Sequence, residues 1–178
     1  MELVASSDPL TPGHYTRTGF EPKVTFAVDG LWHAVQLFDG FFDIQQDVGS
    51  PDVIAVQFAT PDAFYGAGNE AVPFYAPPPD VEAILRANPG LTVVETSTSR
   101  IGGHDGFQIT VENAGNAAAQ VMRVPPGPLS ILPGRRLWIA LFEVDERIFA
   151  IMVGGSVAKW DAALAAAEPL LESIEIGE

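Results

Sequence analysis

Leu137-Trp138-Ile139-Ala140-Leu141-Phe142 and Ile148-Phe149-Ala150-Ile151-Met152-Val153 are separated only by Glu143-Val144-Asp145-Glu146-Arg147. Both runs are short and rich in β-branched and aromatic side chains, so they predict two buried strands joined as a hairpin rather than a membrane span. Gly154-Gly155-Ser156 follows, and beyond it Val157, Trp160, Leu164, Ala167, Leu171 and Ile174 recur in steps of three and four. That spacing draws one apolar stripe along a helix, which needs a sheet to cover. Pro169 removes a backbone donor inside this helix, so a kink there or a break before Leu170 is expected.

Upstream of the hairpin the pattern is strand-like. Residues 1–19 are polar, carry Pro9, Pro12, Gly13 and Gly19, and predict a loosely attached, flexible arm, with a single domain over 20–178. Val24, Phe26 and Val28 alternate with polar or small residues and stop at Asp29-Gly30, a turn signal. Strands are predicted over 32–38, 41–46 and 54–59, giving an antiparallel meander. Asp80 caps a short helix carrying Val81, Ile84 and Leu85, which Asn88-Pro89-Gly90 stops. Further strands are expected over 93–99, 107–111 and 120–124, the first two joined through Gly102-Gly103. Strands that are grouped, not alternating with helices, make an α+β domain: an antiparallel sheet of about eight strands flanked by two helices.

The bulk composition narrows the function. A chain of 178 residues, 47% apolar and 18% charged, has material for one well-packed domain. It contains no cysteine, which excludes disulfides, thiolate metal sites and a cysteine nucleophile. Its net charge of −14 rests on 23 acidic against nine basic residues, so a nucleic-acid partner is not expected. No stretch is long and apolar enough for a spanning helix, and Met1 to Ala5 lacks the basic start of a signal peptide. The expectation is a soluble chain, cytoplasmic or exported with a leader removed.

Motifs with chemistry are weak. Gly66-Ala67-Gly68-Asn69-Glu70-Ala71 fits a dinucleotide-binding pattern, but Pro73 and the prolines at 77–79 prevent the helix that pattern requires, leaving a loop. Gly154-Gly155-Ser156-Val157-Ala158 resembles a nucleophile elbow, yet no histidine follows His104, so Ser156 is read as a helix cap. His14, His33 and His104 lack metal-ligand spacing, and His104 beside Asp105 reads as a solvated turn pair. Asp39, Asp43 and Asp47 recur along one strand face that is taken as exposed. Arg135-Arg136 could hold a carboxylate or phosphate, but neighbours on a strand point to opposite faces. No catalytic residue, cofactor or metal ligand is assigned. The proline-rich loops over 60–79 and 125–134 remain, and Phe64, Tyr65, Phe74, Tyr75, Leu129 and Ile131 form the candidate partner surface. The alternative is that these aromatics fold back over the core.

The order of motifs resembles a bacterial family of uncharacterised domains with the PsbP-like fold. Tyr15, then Phe20-Glu21-Pro22 running into Val24-Thr25-Phe26 and Trp32, is similar to its opening. Ile101-Gly102-Gly103 and Gly106 before Phe107 and Ile109 are similar to its middle. Pro133-Gly134-Arg135 into Leu137-Trp138 is similar to its closing hairpin and helix. The resemblance covers roughly residues 13–176. It implies a PsbP-like sandwich, and a role like those of assembly factors, photosystem extrinsic subunits, a Ran-binding import factor or LpqN-type envelope lipoproteins. Such domains are often exported or lipid-anchored, although this chain has no cysteine for a lipid. The resulting expectation is a non-catalytic binding or assembly protein contacting a protein partner through its proline-rich loops. The alternative is a small-molecule or lipid binder with an apolar pocket between sheet and helix. An enzyme using Ser156, or His104 with Asp105, ranks behind both.

Overall fold

In the computed structural model, which describes residues 1–5, 8–73 and 80–177, the decisive hairpin is longer than its apolar runs. Strands β12 (Arg135–Val144) and β13 (Arg147–Ser156) pair antiparallel over their whole length, with Leu141 opposite Ala150. Asp145 and Glu146 both adopt positive φ, 50° and 61°, as a two-residue hairpin turn of type I′ requires.

The other elements precede and follow in chain order. They are β1 (Gly13–Arg17), β2 (Val24–Val28), β3 (His33–Phe38), β4 (Phe41–Gln46), β5 (Ile54–Ala59), β6 (Ala63–Tyr65) and β7 (Ala71–Pro73). Then come α1 (Val81–Arg86), β8 (Thr92–Ile101), β9 (His104–Glu112), β10 (Ala119–Val124) and β11 (Gly127–Ile131). After the hairpin, α2 (Trp160–Glu172) and β14 (Glu175–Ile176) close the chain. The class is α+β with antiparallel pairing and two helices, but the strands form three sheets, not one of about eight. A seven-stranded sheet in the order β3-β4-β5-β13-β12-β9-β8 lies between a three-stranded sheet, β1-β2-β14, and a four-stranded sheet, β11-β10-β6-β7.

This layering explains the unbroken apolar runs. An antiparallel sheet with one wet face shows alternation, whereas a strand covered on both faces does not. Trp138, Ala140, Phe142, Phe149, Ile151 and Val153 enter one core with Phe26, Trp32 and the buried side of α2. Leu137, Ile139, Leu141, Ile148, Ala150 and Met152 enter a second core with Val81, Leu85, Val121 and Met122. In the first core Phe42 and Phe58 stack with centroids 4.4 Å apart, and Phe20 meets Phe42 edge-on at 5.0 Å.

Several expectations change. The segment read as a flexible arm carries β1, which pairs with β2 from Gly13 opposite Val28 to Arg17 opposite Val24. Leu3 and Leu10 are buried in the first core, and the Leu3 amide donates to the Thr16 carbonyl at 2.9 Å. The apolar residues here are too sparse to show a period. Strands β6, β7 and β11 lie within stretches read as proline-rich loops. Pro73 and Pro128 are tolerated because β7 and β11 are sheet edges, where a missing N–H breaks no ladder bond.

The last helix is also corrected. Its buried line is Trp160, Ala163, Ala167 and Leu170, followed by Ile174, while Leu164 and Leu171 flank it half-buried. Gly155 sets that line: a Cβ there would lie 2.7 Å from Ala163 Cβ, so the helix rests its small residue on bare backbone. Gly154 and Gly155 therefore belong to β13 and do not turn the chain. Ser156 makes no capping bond and pairs across from Arg135. Helix α2 runs through Pro169 without a break; the ring points outward, and one lost bond near the C-terminus is tolerated. Asp80 does cap α1, accepting from the Ala83 amide at 2.9 Å.

Two buried asparagines clamp the second core. Asn88 Nδ2 donates to the carbonyls of Tyr65 and Gln120, and its Oδ1 accepts from the Gly90 amide. Asn113 Nδ2 donates to the carbonyls of Ala117 and Ile131, and its Oδ1 accepts from the Gly115 amide. Each satisfies carbonyls that chain bends leave without ladder partners.

Candidate functional site

The second core does not extend under the whole seven-stranded sheet. Strand β4 turns Phe42 and Ile44 into the first core, so Phe41, Asp43 and Gln45 face the other way. Strand β5 does the same with Val56 and Phe58, leaving Ala55, Gln57 and Ala59 beside them. Asp43 lies opposite Gln57, and Gln45 opposite Ala55. Phe41 and Ala59 join the second core; the polar residues beyond them do not.

Asp43 is the organising group. Its side chain is only 2% exposed. Oδ1 accepts from the Gln36 amide at 2.8 Å, where β3 slips register, and Oδ2 accepts from Gln45 Nε2 at 2.7 Å. Gln57 lies opposite it on β5 and also favours the charged carboxyl. Burial pushes the Asp43 carboxyl above the ordinary aspartate value, and these hydrogen bonds pull it back only partly. Gln45 is thus held in place by a buried carboxyl, with Gln57 beside it across the β4–β5 pair.

These two glutamines floor a cleft of about 430 Å³. Ala55, Gly154 and Leu137 continue the floor, while Leu129, Ile131 and Leu132 of the second proline-rich stretch form the facing wall. Arg135 lines it too. Its Nη1 donates to the Pro51 carbonyl at 2.9 Å and its Nη2 to the Val53 carbonyl. Burial lowers the Arg135 pKa, and the charge of Asp52 opposes that in part. The guanidinium nevertheless remains protonated. Arg136 points to the opposite face, where it pairs with Glu112 at 2.6 Å and lies over the Trp160 ring.

A second cavity of about 390 Å³ lies between α1 and the ends of β9, β12 and β13. Val81, Phe107, Leu141 and Ile148 form its apolar part, with Asp80, Glu82, Asp105 and Glu143 among its lining. Three of those acids are engaged elsewhere: Asp80 in the cap, Glu82 with Arg86 and Asp105 with Arg100. Its polar side chains are all acidic, unlike the glutamines and arginine of the first cleft.

Four of the six residues of the candidate partner surface are described. Phe64, Tyr65 and Ile131 are 0%, 8% and 7% exposed; pairing of β6 and β11 with β10 turns Phe64 and Ile131 into the second core, while Tyr65 is buried outside it. Leu129 is half-buried and lines the cleft. Phe74 and Tyr75 lie outside the described residues. The aspartate row is corrected as well, since Asp43 is buried. Ser156 and His104 sit at opposite ends of β12 and β9, nine residue steps or about 30 Å apart. His33 is level with Gly154 but three strand spacings away, about 14 Å. Among the described residues there is no group of three or more potential metal ligands, and no helix long and apolar enough to cross a membrane.

The Asp43, Gln45 and Gln57 cluster was missed in the sequence because a polar residue at every second strand position is the normal sign of a wet face. The available signal was that Arg135, a residue singled out for anion binding, follows directly on the 129–133 wall.

No protein-family model and no curated protein matches this sequence. Solved structures do. Cyanobacterial PsbP (CyanoP) from Synechocystis sp. PCC 6803 aligns with a TM-score of 0.51 at 7% identity, over 97% of each chain. The fold is PsbP-like. LpqN, involved in cell envelope biogenesis of Mycobacterium tuberculosis, aligns with a TM-score of 0.46 at 12% identity, over 98% of this chain and 89% of that one. At such identities the PsbP-like likeness is one of chain path and brings no ligand or site residue with it.

Proposed function

We propose that this PsbP-like domain is a non-catalytic binding protein whose cleft beneath residues 129–132 takes a small, mostly apolar ligand. The observation that carries the reading is the cleft itself: apolar walls around Gln45, which the buried Asp43 holds, and Gln57 beside it. Its volume, about 430 Å³, is typical of small-molecule sites. Fixing Gln45 in advance reduces the ordering cost of binding.

Gly154 supplies the test. A Cβ there meets only Leu137 Cδ1 at 3.6 Å and Ala55 Cβ at 3.9 Å, ordinary contacts, so a larger side chain grows into the cleft. Titration with the small neutral apolar fluorophore 1-naphthylamine should show saturable binding to the wild type. Gly154→Leu should weaken it at least ~10-fold while the chain stays folded. Equal binding by both proteins, or none by either, defeats the reading.

A protein partner is the second reading, favoured by Leu132, which is 63% exposed beside the edge strand β11. It requires Leu132→Asp to abolish partner co-purification; a partner retained by that variant removes it.

A further inference from the structure

We infer that the ligand of this cleft carries a carboxylate and that Arg135 is its anchor. The inference rests on the small-ligand reading above and adds the chemistry of the ligand's polar end.

Arg135 is held unlike most of the protein's cations. Arg17, Arg86, Arg100, Arg123, Arg136, Arg147 and Lys159 each lie within ion-pair distance of a carboxylate. Acids outnumber bases 23 to nine, so carboxylates are abundant. Arg135 instead spends two of its five N–H donors on the Pro51 and Val53 carbonyls. Those bonds orient the guanidinium without neutralising it. Asp52, the acid whose charge it feels, is itself bound to Lys159 Nζ at 2.6 Å.

A half-buried cation pays a desolvation cost that backbone carbonyls offset only in part. A carboxylate offers the guanidinium a charge-assisted, fork-shaped partner. The remainder of the wall, Leu129, Ile131 and Leu132 facing Ala55 and Leu137, suits an unbranched or ring-bearing hydrocarbon. At about 30 Å³ per water-sized group, the cleft admits roughly a dozen heavy atoms. A medium-chain carboxylic acid meets both requirements.

The test is calorimetric titration of decanoate, 1-decanol and decylammonium into the wild type, Arg135→Gln, Arg135→Lys and Gly154→Leu, all below the concentrations at which the ligands aggregate. Decanoate should bind the wild type at least ~10-fold tighter than decanol, with decylammonium weakest. Arg135→Gln should bring decanoate down to the level that decanol shows in the same variant. Arg135→Lys should keep part of the preference. Equal affinity for acid and alcohol in the wild type overturns the anchor, and so does a preference that survives Arg135→Gln; in both cases binding blocked by Gly154→Leu leaves the cleft reading standing. If no ligand binds the wild type, the cleft reading falls and the anchor falls with it. Should Arg135→Gln fail to fold, the wild-type comparison of the three head groups and the Arg135→Lys arm still decide.

Discussion

Asp43 stands between Phe42 and Ile44, which fill the first core, yet its own side chain is sealed from water on the other face by Gln36, Gln45 and Gln57. Its carboxyl is raised above the ordinary value near 3.8, chiefly by burial. The folded protein therefore takes up this proton before the unfolded chain does as pH falls. The resulting stabilisation is fully present below the ordinary pKa and is lost as pH rises through the raised one. Asp43→Asn removes that titration and keeps an acceptor for the Gln36 amide. Unfolding by urea across a pH series should thus show the variant gaining on the wild type as pH rises from about 3 towards neutrality. Parallel curves would mean that the Asp43 carboxyl is not penalised by its surroundings. At this scale little of the site was legible. Aspartate at an alternate strand position reads as solvated, and only the seating of β3, β4 and β5 against one another makes it otherwise.

Elements were read more securely than residues. The hairpin, the Asp80-capped helix and the closing amphipathic helix all follow from spacing within a dozen residues, where local geometry dominates. The shift of the buried line on α2 was not legible, because it depends on Gly155 of the neighbouring strand meeting Ala163. That contact is testable by a mutant cycle. Gly155→Ala forces a Cβ into a 2.7 Å approach and should cost about 1–3 kcal/mol. Ala163→Gly alone should cost about 1 kcal/mol through helix propensity. Combined, they should cost less than their sum, measured by denaturant unfolding. Strict additivity would show that the helix is not seated on this glycine. Strands β6, β7 and β11 were hidden by their prolines, which local signals assign to loops and edge pairing tolerates.

For the whole molecule the dominant electrostatic fact is a net charge of −14. Most of the ion pairs are exposed, as between Arg100 and Asp105 or Arg147 and Glu21, and exposed pairs contribute little each. Self-repulsion among the surplus acids should outweigh them. Raising sodium chloride from about 10 mM to about 0.5 M should therefore increase the urea midpoint. A decrease would mean that the ion pairs matter more than the repulsion. The sequence by itself determined the α+β class, the strand–turn–strand hairpin and the amphipathic helix that covers it, because neighbouring residues carry those patterns. Tertiary structure alone decided that Phe64 and Tyr65 are interior, that Asp43 is buried and that Arg135 lines a cleft. Alternation along a strand specifies two faces, but which face is covered, and by what, depends on partners as far apart in the chain as Arg135 and Val53.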